Sequence, residues 1–183
     1  MDAAERRYRE LVEDIRAEFP AFRIRPKHAS RLQRALGAAL AVATAGRMRT
    51  YMTHYQTTIG STVYVTADWD RRAADARYVT LRHERVHLRQ FARLGVPLMA
   101  VLYLLVPLPV GLAWFRAHFE REAYAETIRA AAEVYGVAAV RDPGFRRQIL
   151  AQFTGPSYGW MWPFRRGLDR WYDSVLAGVS ERE

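Results

Sequence analysis

The apolar residues of this chain recur mostly with the period of a helix. From Asp2 to Phe19 the positions Tyr8, Leu11, Val12, Ile15 and Phe19 form one stripe among charged neighbours, which predicts an amphipathic helix that Pro20 stops. Residues 21–28 read as a short extended link. Ser30 is placed to cap a second helix from Arg31 to Ala45, closed by Gly46. That helix is alanine-rich and nearly charge-free after Arg34, so burial is expected. The pattern then changes. Thr50–Thr57 and Ser61–Thr66 are rich in Thr, Tyr and Val and read as two strands, with Ile59-Gly60 turning between them. The second of these strands is a candidate exposed edge on which an extended peptide could add as a further strand.

Helical periodicity returns after Asp68 and Asp70, either of which could cap the next helix. No Gly or Pro interrupts Ala73–Leu94. Leu94–Phe115 is free of charge but carries Pro97, Pro107 and Pro109. A helix is predicted over Trp114–Val137, a shorter one over Phe145–Phe153, and a last one over Arg166–Leu176. Between the last two lies a Gly/Pro/aromatic run, residues 154–164. No repeat and no low-complexity segment is visible.

A length of 183 residues suits one domain, with N-terminal helices over 1–48, a central hairpin and helices over 49–140, and an aromatic extension over 141–183. Half the residues are apolar and about a quarter charged, which argues against a disordered chain. There are no cysteines, so any metal must be held by His, Asp or Glu. The net charge is +9, and Lys27 is the one lysine among 28 basic residues. The arginines are spread evenly and form no basic tail, which argues against a dedicated nucleic-acid surface. Met1–Glu18 is too charged to be a secretory signal. The Leu94–Phe115 segment is long enough to span a bilayer, but its prolines favour a buried helix and turn, with peripheral membrane contact as the alternative. The expected location is the cytoplasm, with or without such contact. Nothing in the pattern fixes the oligomeric state.

One motif carries chemistry: His83-Glu84-Arg85-Val86-His87. On a helix the two histidines share a face, so both imidazoles can meet one metal ion, and Glu84 can reach a water bound to it. A catalytic zinc takes three protein ligands and keeps a place open. The third must be His or an acid, and no histidine lies between His87 and His118. The later helix offers Glu120 and Glu122. Glu120 falls on an inward stripe with Ala123, Tyr124, Thr127, Ile128 and Ala131, whereas Glu122 shares a polar face with Glu126, Arg129 and Glu133. Phase favours Glu120, and Glu122 stays open as the second choice.

With these residues the chain resembles the HExxH zinc metallopeptidases whose third ligand is a glutamate on a later helix, the gluzincins. It is particularly similar to small bacterial members and to membrane-associated ones with a second motif Glu-x-x-Ala-Asp or Glu-x-x-Ala-Asn. Glu120-Arg121-Glu122-Ala123-Tyr124 matches that motif with tyrosine in the last place, and Glu122 through Glu126 matches it in a rival register. The resemblance covers roughly residues 50–135. It implies an α+β, mainly helical, zincin-like fold with a small antiparallel hairpin or sheet before the active-site helix. It implies Zn2+ as cofactor and a peptide or protein as substrate, with Glu84 as general base. It also implies a side chain that stabilises the oxyanion. Tyr158 is the first candidate, and Tyr124, His118 and His54 follow. Trp160 and Trp162 read as core or interface aromatics. A non-catalytic zinc protein, structural or acting at a membrane surface, is the alternative function.

Overall fold

The computed structural model describes residues 2–43, 50–102, 114–155, 161 and 164–180. The chain is mainly helical, with a small sheet placed before the helix that carries the HExxH motif, a zincin-like α+β arrangement. It divides into two compact units at Val96/Pro97.

In the first unit, α1 (Ala3–Glu18) buries Tyr8, Leu11, Val12 and Ile15, four of the five positions in the expected stripe. The motif lies on α4 (Ala74–Ala100), whose Leu81 and Leu88 are buried. Ion pairs join the two helices: Glu5 to Arg77 at 2.6 Å, Arg7 to Asp75 at 3.0 Å, and Glu18 to both Arg85 and Arg89 at 2.6 Å. The hydrogen bond from Arg89, reinforced by Arg85, holds the Glu18 carboxyl below its usual range against the opposing effect of burial. Such partly exposed pairs are worth ~0–1 kcal/mol each. A buried Leu or Ile side chain contributes ~1.5–3 kcal/mol. The apolar stripe therefore holds α1 in place, and the charges select its register. Gly95, at φ 74°, kinks α4 one residue beyond its expected end at Leu94.

The sheet has the order β1-β3-β2, from β1 (Arg23–Pro26), β2 (Thr57–Ile59) and β3 (Thr62–Val65). β2 and β3 pair antiparallel around Gly60-Ser61, where Gly60 adopts φ 59°, a conformation glycine enters at no steric cost. β1 pairs parallel to β3, from Arg23↔Thr62 to Pro26↔Val65. The segment expected as a plain link is thus a strand. β3 is the central strand, which corrects the expectation that it offers a free edge.

Three other expectations change. Thr50–Thr57 is not one strand: Tyr51–His54 forms a helical turn, α3, and only Thr57 joins the sheet. Neither aspartate caps α4. Asp68 is engaged by Thr66 and Arg72, which hold its carboxyl at about 2, and Asp70 lies in a 3-10 turn over Trp69–Arg71. The second helix, α2 (Arg31–Ala43), does start at Ser30, whose Oγ accepts from the Gln33 amide at 3.3 Å. It is not deeply buried, since Leu32 is 56% and Val42 83% exposed. Its packed face is narrow, formed at Gln33 and at Gly37 against Met52 and Tyr51.

In the second unit, α5 (Trp114–Tyr135), α6 (Val137–Arg141), α7 (Pro143–Thr154) and α8 (Arg165–Ser180) pack around Ile128, Val140, Phe153, Leu168 and Tyr172. The expected helix to Val137 is broken at Gly136, φ 85°, which separates α5 from α6. Asp142 caps α7 through the amides of Gly144 and Phe145. Among the described residues no helix is long and apolar enough to cross a membrane. Residues 103–113 of the Leu94–Phe115 segment lie outside the described residues.

Lys27 follows β1 and is 1% exposed. Its Nζ donates to the Tyr51 carbonyl at 2.9 Å and stands 3.6 Å over the Tyr51 ring. The Tyr51 hydroxyl donates in turn to Gln33 Oε1, so this knot ties α2 and α3 to the end of β1. Burial lowers the Lys27 pKa to about 8, although the charge of Glu84 opposes the shift. The unfolded chain keeps a proton here up to its ordinary value of 10.5, whereas the folded chain sheds it near 8. Raising the pH from 8 to 10.5 therefore favours the folded state at this group, by about 3 kcal/mol. Urea melts of the native chain and of Lys27→Met across this range should show the native chain gaining stability relative to the variant.

Candidate metal centre

The HExxH turn of α4 sorts its residues by face. Arg85 and Arg89 point to Glu18, while Glu84, His87, Leu88 and Gln90 are buried, Glu84 at 5% and His87 at 7% exposure. The same periodicity sets His83 beside His87. Their rings meet edge to face, and their Nε2 atoms stand 3.2 Å apart.

Gln90 determines which nitrogen of His87 faces the site. Its Oε1 lies 2.9 Å from His87 Nδ1, and both residues are buried. An amide oxygen facing Nδ1 calls for a proton on that nitrogen, which leaves Nε2 with its lone pair. This is the tautomer a metal needs, fixed by a partner that also orients the ring. The HExxH motif does not mark Gln90, although its place three residues after His87 puts it on a neighbouring face.

Glu84 lies between the two histidines in sequence, and its Oε2 accepts a 2.6 Å bond from the hydroxyl of Thr58 on β2. Thr58 is itself buried, at 7% exposure. No local pattern announces this contact, because the partners are 26 residues apart.

On α5 the two candidate acids separate. Glu120 is buried at 2% exposure, with Ala123, Ile128 and Ala131 of its stripe. Glu122 is exposed and stands 3.5 Å from His118 on the next turn. One ligand atom from each of His83, His87 and Glu120 lies within 4.8 Å of the others. Of the two acids, Glu120 is the one placed with the imidazoles. The cluster is consistent with an HExxH zinc site of the gluzincin type.

The donor set suits zinc. Two zinc–nitrogen bonds of about 2.05 Å at a tetrahedral angle hold their nitrogens about 3.3 Å apart. The observed 3.2 Å between the Nε2 atoms matches that edge. Two imidazoles and one carboxylate also leave a fourth position, as catalytic zinc requires.

The other candidates make the following contacts. His118 stacks on Trp114 and pairs with Glu122. His54 lies at the exposed end of α3, against Thr53 Oγ1. Tyr124 packs edge-on to Phe153. Tyr158, Trp160 and Trp162 lie outside the described residues. No family model, curated protein or solved structure matches the chain.

Competition titrations with a zinc chelator should rank the variants. Glu120→Ala should lose zinc to a mild chelator, and Glu122→Ala should bind nearly as the native chain does. Gln90→Leu should fall between them, weakened by about 10–100-fold. Loss of zinc in Glu122→Ala with retention in Glu120→Ala would mean that α5 presents its other face.

Proposed function

We propose that this protein is a zinc-dependent metalloendopeptidase that hydrolyses peptide bonds in peptide or protein substrates, with Glu84 as general base. The observation that carries the reading is the cluster of His83, His87 and Glu120 with a buried Glu84 on the same helical turn as the two imidazoles. His83 and His87 would hold zinc through Nε2, and Glu120 through its carboxylate. When bound, zinc supplies Lewis acidity, acidifying a water and polarising the scissile carbonyl. Glu84 accepts the proton that the attacking water gives up and delivers it to the departing amine nitrogen. Arg85 and Arg89, tied to Glu18, keep the opposite face of the turn fixed while this occurs. Tyr158 is proposed as the donor to the oxyanion, supported by the Gly and Pro residues that flank it in the sequence.

Glu84→Gln tests the assignment. An amide cannot take up the water's proton, so the variant should keep about one zinc per chain and lose hydrolysis of denatured casein by at least about 100-fold. Full zinc with undiminished cleavage would remove Glu84 as base. A zinc-loaded native chain that cleaves nothing would favour the non-catalytic alternative.

Peripheral membrane contact is part of the proposal. Val96, Leu98 and Val101 are 45%, 46% and 43% exposed, and Trp114 is 51% exposed. Apolar side chains and a tryptophan flanked by Arg93 and Arg116 suit the boundary of an anionic bilayer. Purified protein should float with vesicles containing phosphatidylserine. Replacement of Leu98 and Val101 by Ser should reduce that fraction. Equal recovery of the native chain with and without vesicles would end this reading.

A further inference from the structure

We propose that Thr58 is the positioning residue for the general base. This rests on the reading of Glu84 given above. The Thr58 hydroxyl sets the rotation of the Glu84 carboxylate through its 2.6 Å bond to Oε2.

The length falls in the range of a hydroxyl donating to a charged carboxylate, about 2.5–2.7 Å. A hydroxyl has a single proton to give, and Thr58 gives it to Glu84. Both side chains are buried, so water does not compete freely for the bond.

The donor is built on a fixed platform. Thr58 is the middle residue of β2 and pairs with Val63 of β3, which is fully buried. Its β-branched side chain has few χ1 choices, so the strand determines where the hydroxyl points. The chain entering β2 is pinned as well, because Lys27 Nζ holds the Tyr51 carbonyl at the start of α3.

Glutamate needs such a partner. Helix α4 fixes its Cα, but three side-chain torsions remain. A carboxylate misplaced by about 1 Å can cost on the order of 100-fold in rate. The Thr58 bond restricts that freedom at Oε2, on a side chain that must be in place when the proton leaves water.

A merely structural threonine would change stability and nothing else. The test compares the zinc-loaded native chain with Thr58→Val, which keeps the shape and removes the hydroxyl, and with Thr58→Ser, which restores it. With labelled casein as substrate, Thr58→Val should lower kcat by about 10–100-fold. Its KM should stay within about twofold, and its zinc content should be unchanged. Thr58→Ser should recover most of the loss. In the zinc-free protein, urea melts should show Thr58→Val destabilising the native background more than the Glu84→Gln background, because the bond is to a charge.

Native kcat in Thr58→Val, a Thr58→Ser variant as slow as Thr58→Val, or additive stabilities in the two backgrounds would each overturn the proposal. If Thr58→Val does not accumulate folded, Thr58→Ala makes the same comparison. Glu84→Gln assayed alongside separates the two readings. An inactive Glu84→Gln with a fully active Thr58→Val sinks only the positioning role, whereas an active Glu84→Gln sinks the base itself.

Discussion

A carboxylate shielded from water stays ionised only if something replaces the hydration it gave up, and the site imposes this demand twice. Desolvating a lone carboxylate costs several kcal/mol. Glu84, 5% exposed, accepts a hydrogen bond from the Thr58 hydroxyl. Glu120, 2% exposed, is placed with two imidazoles in a group whose chemistry is that of a zinc ligand set. The two acids share the penalty of burial but take different partners. A hydroxyl leaves a carboxylate basic and able to accept a proton, while a metal ion uses the carboxylate as a permanent ligand. The proposed division of labour between base and ligand follows from what each acid meets.

The surroundings of the motif serve the same demand at lower cost. Gln90 contacts His87 Nδ1 without adding charge beside the candidate metal ligands. Lys27 is the one lysine in a chain otherwise built on arginine. Its compact ammonium fits between a carbonyl and the face of Tyr51, where a forked guanidinium would need more room and more acceptors. The charge of Glu84 acts on this lysine, against the effect of burial. The exposed charges play a lesser part. The Glu18, Arg85 and Arg89 cluster orients α1 on α4, but the apolar stripe of α1 supplies the larger share of the free energy.

Sheet and helix contribute differently to the proposed chemistry. A helix repeats its geometry every turn, so α4 can set two imidazoles at a spacing close to a tetrahedral zinc edge using local structure alone. It cannot supply a donor to Glu84 from its own backbone, whose amides are spent on the helix. β2 supplies that donor from outside, on a strand held by β3. The order β1-β3-β2 leaves β2 at an edge of the sheet, within reach of the motif helix through Thr58.

What the sequence determined by itself was periodic. The HExxH face, the stripe of α1 and the inward phase of Glu120 all follow from a helical repeat that a linear pattern displays. The kink at Gly95 fell next to the expected end of α4, whereas the break at Gly136 fell inside a helix expected to run on to Val137. The rival register at Glu122 could not be dismissed from the pattern, since a repeat gives relative phase and not the direction of the core. Burial of Glu120 and the pairing of Glu122 with His118 decided it. The tertiary structure alone decided the rest. β1 joins β3 across 39 positions, Thr58 meets Glu84 across 26, and Lys27 meets Tyr51 across 24. α2, apolar in composition, remains largely exposed because composition does not create a neighbour to pack against. Local periodicity is written in adjacent residues, whereas the partner of a buried polar group is chosen by which distant segments the fold brings together.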